Sequence, residues 1–462
     1  MDKVNVGKQI SAQKPLGFWA LFAIAIGVVT AQSCFVSTLQ GAGLGGGTFF
    51  VALFIAFLLT ICYVSTYAEL ALMMPKAASI SAYTAVSMGN FIAIIAALAG
   101  CLAPIIFGGP AELLLVDYIL EVAYPGLFSH IGIWLLVLLT LLNILGINIF
   151  AKIQNVLTYA MLVALLIIGV AGSSNAVGVG YSAMAIGTQI GNTNSAVFSL
   201  VVLAIWAFLS IEFICPLVEE TYLPKKNIPL AMFAAAVVIL IIHTLIAYAG
   251  MRQVQANDLV QSNFAHWLLV YNVFGNNGRL LIAVITITTT AGFINTVLAA
   301  LPKMFCGMAQ LGQLPSFFMR VHPKFNSPWL GILFVSSTIA LPLWLFSQAK
   351  NILLTLVISS ATIWLFTYII AHINVIVLRI KYPTYKRAYK SPIYPVLQVI
   401  GIVGMGYAII SNAPSSELAL TVYINTAVFI GFSALYAFGW VKYKMKKGLF
   451  ETEPINKVST GR

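Results

Sequence analysis

About 12 stretches of this chain are each apolar over roughly the 20 residues that carry a helix across a bilayer, and they take up nearly all of its length. Inside hydrocarbon every backbone N–H and C=O must find its partner within the protein, and none of the stretches alternates as a strand would. The expected class is therefore all-α, a polytopic membrane protein. The spans fall at 17–39, 48–74, 91–120, 131–147, 154–174, 196–218, 229–251, 279–300, 329–347, 351–379, 395–412 and 418–441. Composition agrees: 61% of residues are hydrophobic and 8% charged, which excludes a soluble globular protein.

The net charge of +12 would suit a nucleic-acid partner if it were gathered on one surface, but it is dealt out between the spans. With the N-terminus in the cytoplasm, the inside segments hold 21 of the 24 basic residues, all but Arg252, Arg279 and Lys350. That bias places both termini in the cytoplasm and makes the number of spans even. The expected location is the cytoplasmic (inner) membrane, the bilayer is the expected partner, and nucleic acid is not one. Residues 1–16, with Lys3, Lys8 and Lys14, lack the apolar core of a cleaved signal and read as a cytoplasmic segment; residues 442–462 read as a basic cytoplasmic tail. An outer helix poor in polar groups reads the same against lipid or a second copy, so monomer and homodimer both stay open.

Two spans break the helical rule in corresponding places. The first turns polar in mid-membrane at Ala31-Gln32-Ser33 before the glycine-rich loop Gly41 to Gly47, and the sixth carries Ser210, Glu212 and Pro216 within an apolar stretch. Interrupted helices at matching positions of two halves point to a transporter's binding site, because half-helix ends bare backbone groups and partial charges. Among the 12 acids, Glu212 lies deepest in a span, with Glu112 and Asp117 following the proline and glycine breaks of the third span. An ionisable group there costs roughly 2.5–3.5 kcal/mol on insertion scales, so it needs a function or a partner to offset it. The remaining acids, Glu69 and Glu453 among them, sit at span ends or in loops.

The segments "IWAFLSIEFICPLVEETYLPKKNIPLAM", "YAELALMMPKAASISAY", "GMAQLGQLPSFFMRVHPKFNSPWLGI" and "RIKYPTYKRAYKSPIYPV" follow one another at the order and spacing of a known pattern. In them the chain resembles the amino acid–polyamine–organocation (APC) superfamily, with arginine/agmatine-type exchangers and glycated-amino-acid and L-type amino acid permeases nearest. The resemblance implies 12 transmembrane helices in a LeuT-type 5+5 inverted repeat, with a ten-helix core over 17–394 and two additional helices over 395–441. It implies secondary transport of amino acids or related organic amines, polyamines among them, by alternating access, and exchange as its mode. Trp206 and Phe208 match the aromatic positions over the site, with Leu209 and Ser210 leading to Glu212, the match to a proton-sensing or substrate-releasing glutamate. Aromatic faces attract ammonium groups by about 0.5–2 kcal/mol, which suits an amine.

The departures bear on the substrate. Ala31, Gln32 and Ser33 stand where the superfamily has Gly-Ser-Gly, whose bared N–H groups take the substrate carboxylate, so that carboxylate is either held differently or absent. Ser210 likewise stands where glycine is usual. Met161 takes the place of a lysine whose ammonium replaces a sodium ion in several members, which disfavours lysine-based coupling. Thr286, Thr288, Thr289 and Thr290 are the hydroxyls available to a coupling cation, Thr288 and Thr289 foremost, so proton- or sodium-coupled symport is the alternative to exchange. The five histidines are scattered, with His130 and His266 expected outside the membrane, and no cofactor, metal or nucleotide-cradling loop is implied. The five cysteines read as packing residues. An ion channel lacks its repeated pore motif, and a membrane-embedded enzyme lacks its catalytic constellation.

Overall fold

A computed structural model of the protein describes residues 16–127, 130–174, 194–346, 353–411 and 416–459. Residues 1–15, with their three lysines, lie outside that description, as do Lys350 and parts of the connections. In chain order the first helices are α1 (Phe18–Val29), α2 (Gln32–Gly45), α3 (Thr48–Met73), α4 (Ile80–Ser87) and α5 (Asn90–Ala103). A π-helical turn at Pro104–Gly108 leads into α6 (Gly109–Ala123), followed by α7 (Ile131–Ile144), α8 (Ile147–Ser174) and α9 (Asn194–Trp206). A 3-10 helix at Ile211–Glu220 precedes α10 (Pro224–Gln253), α11 (Ala256–Gln261), α12 (Ala265–Phe274) and α13 (Gly278–Gln310). The last are α14 (Trp329–Phe346), α15 (Leu353–Lys381), α16 (Val396–Ile410), α17 (Ser416–Gly439) and α18 (Ile455–Ser459).

Among the described residues, eight helical segments are long and apolar enough to cross a membrane, and α1 with α2 make a ninth that is bent by 57°. Three shorter apolar helices, Ile131–Ile144, Trp329–Leu345 and Val396–Ile410, accompany them. The outward face is apolar, with Trp19, Phe54, Trp134, Trp344 and Phe432 exposed, as lipid contact requires. All five cysteines are free.

Three expectations need correction. The loop at Gly41 to Gly47 is helical as far as Gly45, because Gly41 and Gly43 let α2 lie directly against Phe49 and the Ala256 carbonyl, where any side chain would clash. Pro104 and Gly108-Gly109-Pro110 do not break the third span; the π-helical turn absorbs the prolines, and Asn90–Ala123 runs as one segment. His266 is buried rather than external.

The two true breaks have separate local causes. At the first, the Thr30 hydroxyl and N–H both donate to the Ile26 carbonyl (2.8 and 3.1 Å), and Ala31 then extends the chain (φ −59°, ψ 151°) before α2 starts. At the second, α9 tightens after Trp206 and Ser210 adopts φ 87°, ψ 0°, a left-handed conformation that favours glycine. The 3-10 helix that follows is ten residues long, where such runs seldom exceed three or four, and Pro216 within it has no N–H to donate.

The interrupted helices run side by side. Ser37 Oγ of α2 donates to the Leu203 carbonyl of α9 at 2.7 Å, while beyond the breaks Tyr222 N–H donates to the Leu16 carbonyl at 2.9 Å in an isolated β-bridge with Thr221. Each half of one broken helix is thereby fastened to a half of the other.

The end of the bundle that carries the C-terminal segment is held by charge. Glu69, at the end of α3 as expected, is fully buried there: it pairs with Arg379 (2.6 Å) and Arg387 (3.1 Å) and accepts from Ser391 N–H (2.7 Å). Glu453, also buried, accepts from Asn90 Nδ2 (2.8 Å), Lys457 Nζ (3.1 Å) and Lys447, and its own N–H donates to the Ala85 carbonyl at 2.9 Å. Burial alone would raise the pKa of Glu453, but the bonds from Lys447, Asn90 and Lys457 outweigh it and hold the carboxyl below the ordinary carboxylate range.

Two outcomes follow from these local structures. Ser210→Gly relieves the left-handed residue and should raise thermal stability by about 1 kcal/mol, while Ser210→Val should lower it; a melting series in detergent reads both, and the opposite order would contradict the strain. Because the Glu453 pKa is lowered on folding, its contribution is complete above the unfolded value of about 4.3 and disappears as pH falls through the folded value. The hydrogen-exchange protection factors over residues 447–458, taken relative to the unstructured chain at each pH, should therefore fall on acidification below about pH 4, and protection unchanged down to about pH 3 would exclude Glu453 as the fastener.

Candidate functional site

Breaking a helix in mid-membrane leaves N–H and C=O groups that must be satisfied by other parts of the protein. At the first break the backbone N–H groups of Gln32 and Ser33 donate to the carboxylate of Glu112 on α6, at 2.8 Å to Oε2 and 3.0 Å to Oε1. Both oxygens of a buried acid thus accept from the opening turn of α2, where the helix dipole favours negative charge. The Gln32 side chain is anchored as firmly. Its Nε2 donates to Thr290 Oγ1 (2.7 Å), and its Oε1 accepts from Thr286 Oγ1 (3.0 Å) and lies 3.3 Å from His266 Nε2.

The second break meets the first through Trp206. Its indole Nε1 donates to Ser33 Oγ at 2.9 Å, and its carbonyl lies 3.6 Å from Cys34 Sγ. Past the break, Glu212 accepts from Trp364 Nε1 (3.0 Å) and from the Tyr368 hydroxyl (2.7 Å), which itself accepts from Ser210 N–H at 2.8 Å. Tyr63 stacks on Tyr368 with ring centroids 4.2 Å apart and donates to the Phe208 carbonyl. Neither Glu112 nor Glu212 forms an ion pair among the described residues.

The structure thus gathers Gln32, Ser33, Glu112, Trp206, Ser210 and Glu212 around the two breaks. Ala31 supplies the extended link, and Leu209 is buried in the turn. The fully buried Phe208 ring packs against Phe57 and His243, each 6.4 Å away, and its carbonyl accepts from the Tyr63 hydroxyl at the break. Thr288 and Thr289 are not brought to the breaks: their hydroxyls donate to Val284 and Ile285 carbonyls of their own helix, at 2.7 Å each. Met161 is buried in α8, while Thr158 and Gln154 of the same helix reach the Ala23 carbonyl of α1 at 2.9 and 3.4 Å. Among the described residues no three His, Cys, Asp or Glu side chains come together as a metal group would.

The sequence does not single out Trp364, Tyr368 or Tyr63, and it offers Thr286 and Thr290 to a cation, whereas the structure gives both to the Gln32 side chain. Each is a hydrogen-bonding residue inside an apolar span, a type that needs a partner when buried. That was the available signal, but threonine more often bonds its own turn, and only the packing of α13 and α15 against the breaks separates the two uses.

One cavity adjoins this assembly and another lies farther along the 3-10 helix. The first, of about 30 Å³, is lined by Ser33, Ser37, Gln40, Leu115 and Asn263 among others. The other, of about 300 Å³, lies at the far end of the 3-10 helix beside the ion pair of Glu220 with Lys303, with Asn143, Asn148 and Ser327 in its wall.

Comparison with known proteins extends over nearly the whole bundle. Residues 16–438 match the amino acid permease family. The serine/threonine exchanger SteT of Bacillus subtilis is 27% identical over 450 residues, covering 94% of this chain and 97% of the relative. The branched-chain amino acid permease BcaP of the same organism is 25% identical over 421 residues, with 85% and 87% covered. The putrescine transporter PotE of Haemophilus influenzae is 24% identical over 250 residues, with 53% and 55% covered. With both interrupted helices and the two carboxylates inside the matched region, the chain belongs to the amino acid permease family of the amino acid–polyamine–organocation superfamily.

Proposed function

We propose that the protein is a secondary transporter that exchanges amino acids or related organic amines across the cytoplasmic membrane by alternating access. It is a permease, not an enzyme. The observation that carries the reading is the pair of interrupted helices fastened side by side, each with a buried carboxylate at its break and, among the described residues, no lysine or arginine paired with it. Such a site offers anionic charge and directional hydrogen bonds in a medium of low dielectric, which is what an ammonium-bearing solute requires to leave water.

In this reading the chain forms 12 crossings, the bent pair and the three shorter apolar helices included, arranged as a LeuT-type repeat of five and five over 17–394 with two further helices over 395–441. The 57° bend in the first crossing and the turn at Ser210 in the sixth support that arrangement, because they fall at equivalent places of the two halves. Positive charge supports cytoplasmic ends for both termini, which puts the Glu69 and Glu453 clusters on the inner face. Rocking of the half-helices opens the site to one side and then the other, and the cavity beside Glu220 and Lys303 marks the inner mouth. Exchange is favoured over sodium-coupled symport because Thr288 and Thr289 turn back along their own helix and are not gathered at the breaks. The relative SteT, a serine/threonine exchanger, supports exchange as the mode.

Counterflow in proteoliposomes tests the reading. Uptake of labelled threonine, leucine, lysine or putrescine should accelerate when the same unlabelled solute is inside, without an ion gradient. Uptake that ignores the internal solute and follows a proton or sodium gradient would replace exchange by symport. Trp206→Ala should weaken apparent affinity by about tenfold, the loss of one desolvated aromatic contact, and an unchanged KM would make Trp206 a packing residue. Glu212→Gln should lower turnover and flatten its pH dependence; a profile that overlays the parent's would remove Glu212 from the cycle.

A further inference from the structure

The opening turn of a helix binds anions through N–H groups that lack partners within the helix, and a carboxylate satisfies two of them at once. In α2 that place is taken by a group of the chain itself: Glu112 accepts from Gln32 N–H at 2.8 Å and from Ser33 N–H at 3.0 Å, one on each oxygen. Glu112 is 1% exposed, and its own carbonyl lies 3.4 Å from Thr290 Oγ1, so it sits on a fixed part of α6. The other donors at the break are also engaged. Gln32 Nε2 is given to Thr290 (2.7 Å) and Trp206 Nε1 to Ser33 Oγ (2.9 Å).

We propose that Glu112 is the specificity-determining residue of the site, an internal carboxylate standing where a substrate's would otherwise dock, so that the transported solute is an organic amine without an α-carboxylate. The inference rests on the reading of the chain as an amino acid or amine transporter. Charge accounts for the preference. A zwitterion entering this site would bring a second carboxylate to amides already bound, placing like charges together with no lysine or arginine in ion-pair contact with Glu112 among the described residues. An amine's ammonium balances Glu112 instead, and the sum of charges at the break becomes that of a zwitterion in a site lacking the glutamate. The cavity of about 30 Å³ beside Ser33 has room for about one water, with Ser37, Gln40 and Asn263 set among apolar side chains in its wall.

The test uses matched pairs that differ by the carboxylate alone, in counterflow by the full-length protein: lysine with cadaverine, ornithine with putrescine, and phenylalanine with phenethylamine. The expected result is kcat/KM higher for the amine by about tenfold or more in at least one pair, and no pair in which the amino acid leads. Glu112→Ala and the isosteric Glu112→Gln should lower amine transport and shrink that ratio by about tenfold. Amino acids preferred over their amines by the parent protein would overturn the inference while leaving the proposed transporter standing. No exchange of either class would remove the transporter reading and the inference together. If the ratio survives both substitutions, Glu112 does not set specificity. The comparison within the parent protein needs no variant to fold.

Discussion

The structure depends on one requirement, that a helix cut open inside hydrocarbon must have its bared backbone groups satisfied by other parts of the protein. A free buried N–H costs roughly 1–3 kcal/mol, and each break exposes several. The chain meets the requirement with acids. Glu112 takes two amides of α2, and Glu212, through the Tyr368 hydroxyl, reaches the amide of Ser210. Each carboxylate is therefore part of the scaffold at its break, and Trp206 joins the second break to the first by its bond to Ser33.

This economy bears on motion. Hydrogen bonds from neutral donors to a carboxylate can be exchanged for bonds to a bound ammonium without leaving a charge unpaired, whereas a buried salt bridge broken at one partner is strongly destabilising. Strong ion pairs accordingly lie away from the breaks. Glu69 with Arg379 and Arg387, and Glu453 with Lys447 and Lys457, tie the C-terminal end of the bundle together. The pair of Glu220 with Lys303 sits at the end of the 3-10 helix, where a modest shift of that helix would make or break it.

Sequence alone made the all-helical membrane class legible, because hydrocarbon permits few backbone solutions and a run of about 20 apolar residues has one reading. It also located both breaks, at Ala31-Gln32-Ser33 and around Ser210, since polar side chains in mid-span must bond to protein rather than to lipid. What it mistook were features that local signals describe poorly. The glycines at Gly41 to Gly45 read as a loop, yet they stay helical because Phe49 and Ala256 press against them. The prolines at Pro104 and Pro110 read as breaks, yet a π-helical turn carries the helix through.

Tertiary structure decided which polar residues serve the site. Thr286 and Thr290 turn toward Gln32 while Thr288 and Thr289, of the same type and the same helix, turn back to their own carbonyls. Glu112 could be recognised in the sequence as a buried acid but not as the cap of a helix 80 positions away, because hydrogen bonds between distant segments leave no trace in local composition. Sequence thus determined the solvent, the class of fold and the places where helices fail. The geometry of packing determined what repairs those failures, since a partner for a bared amide can come from any element that the fold brings within about 3 Å.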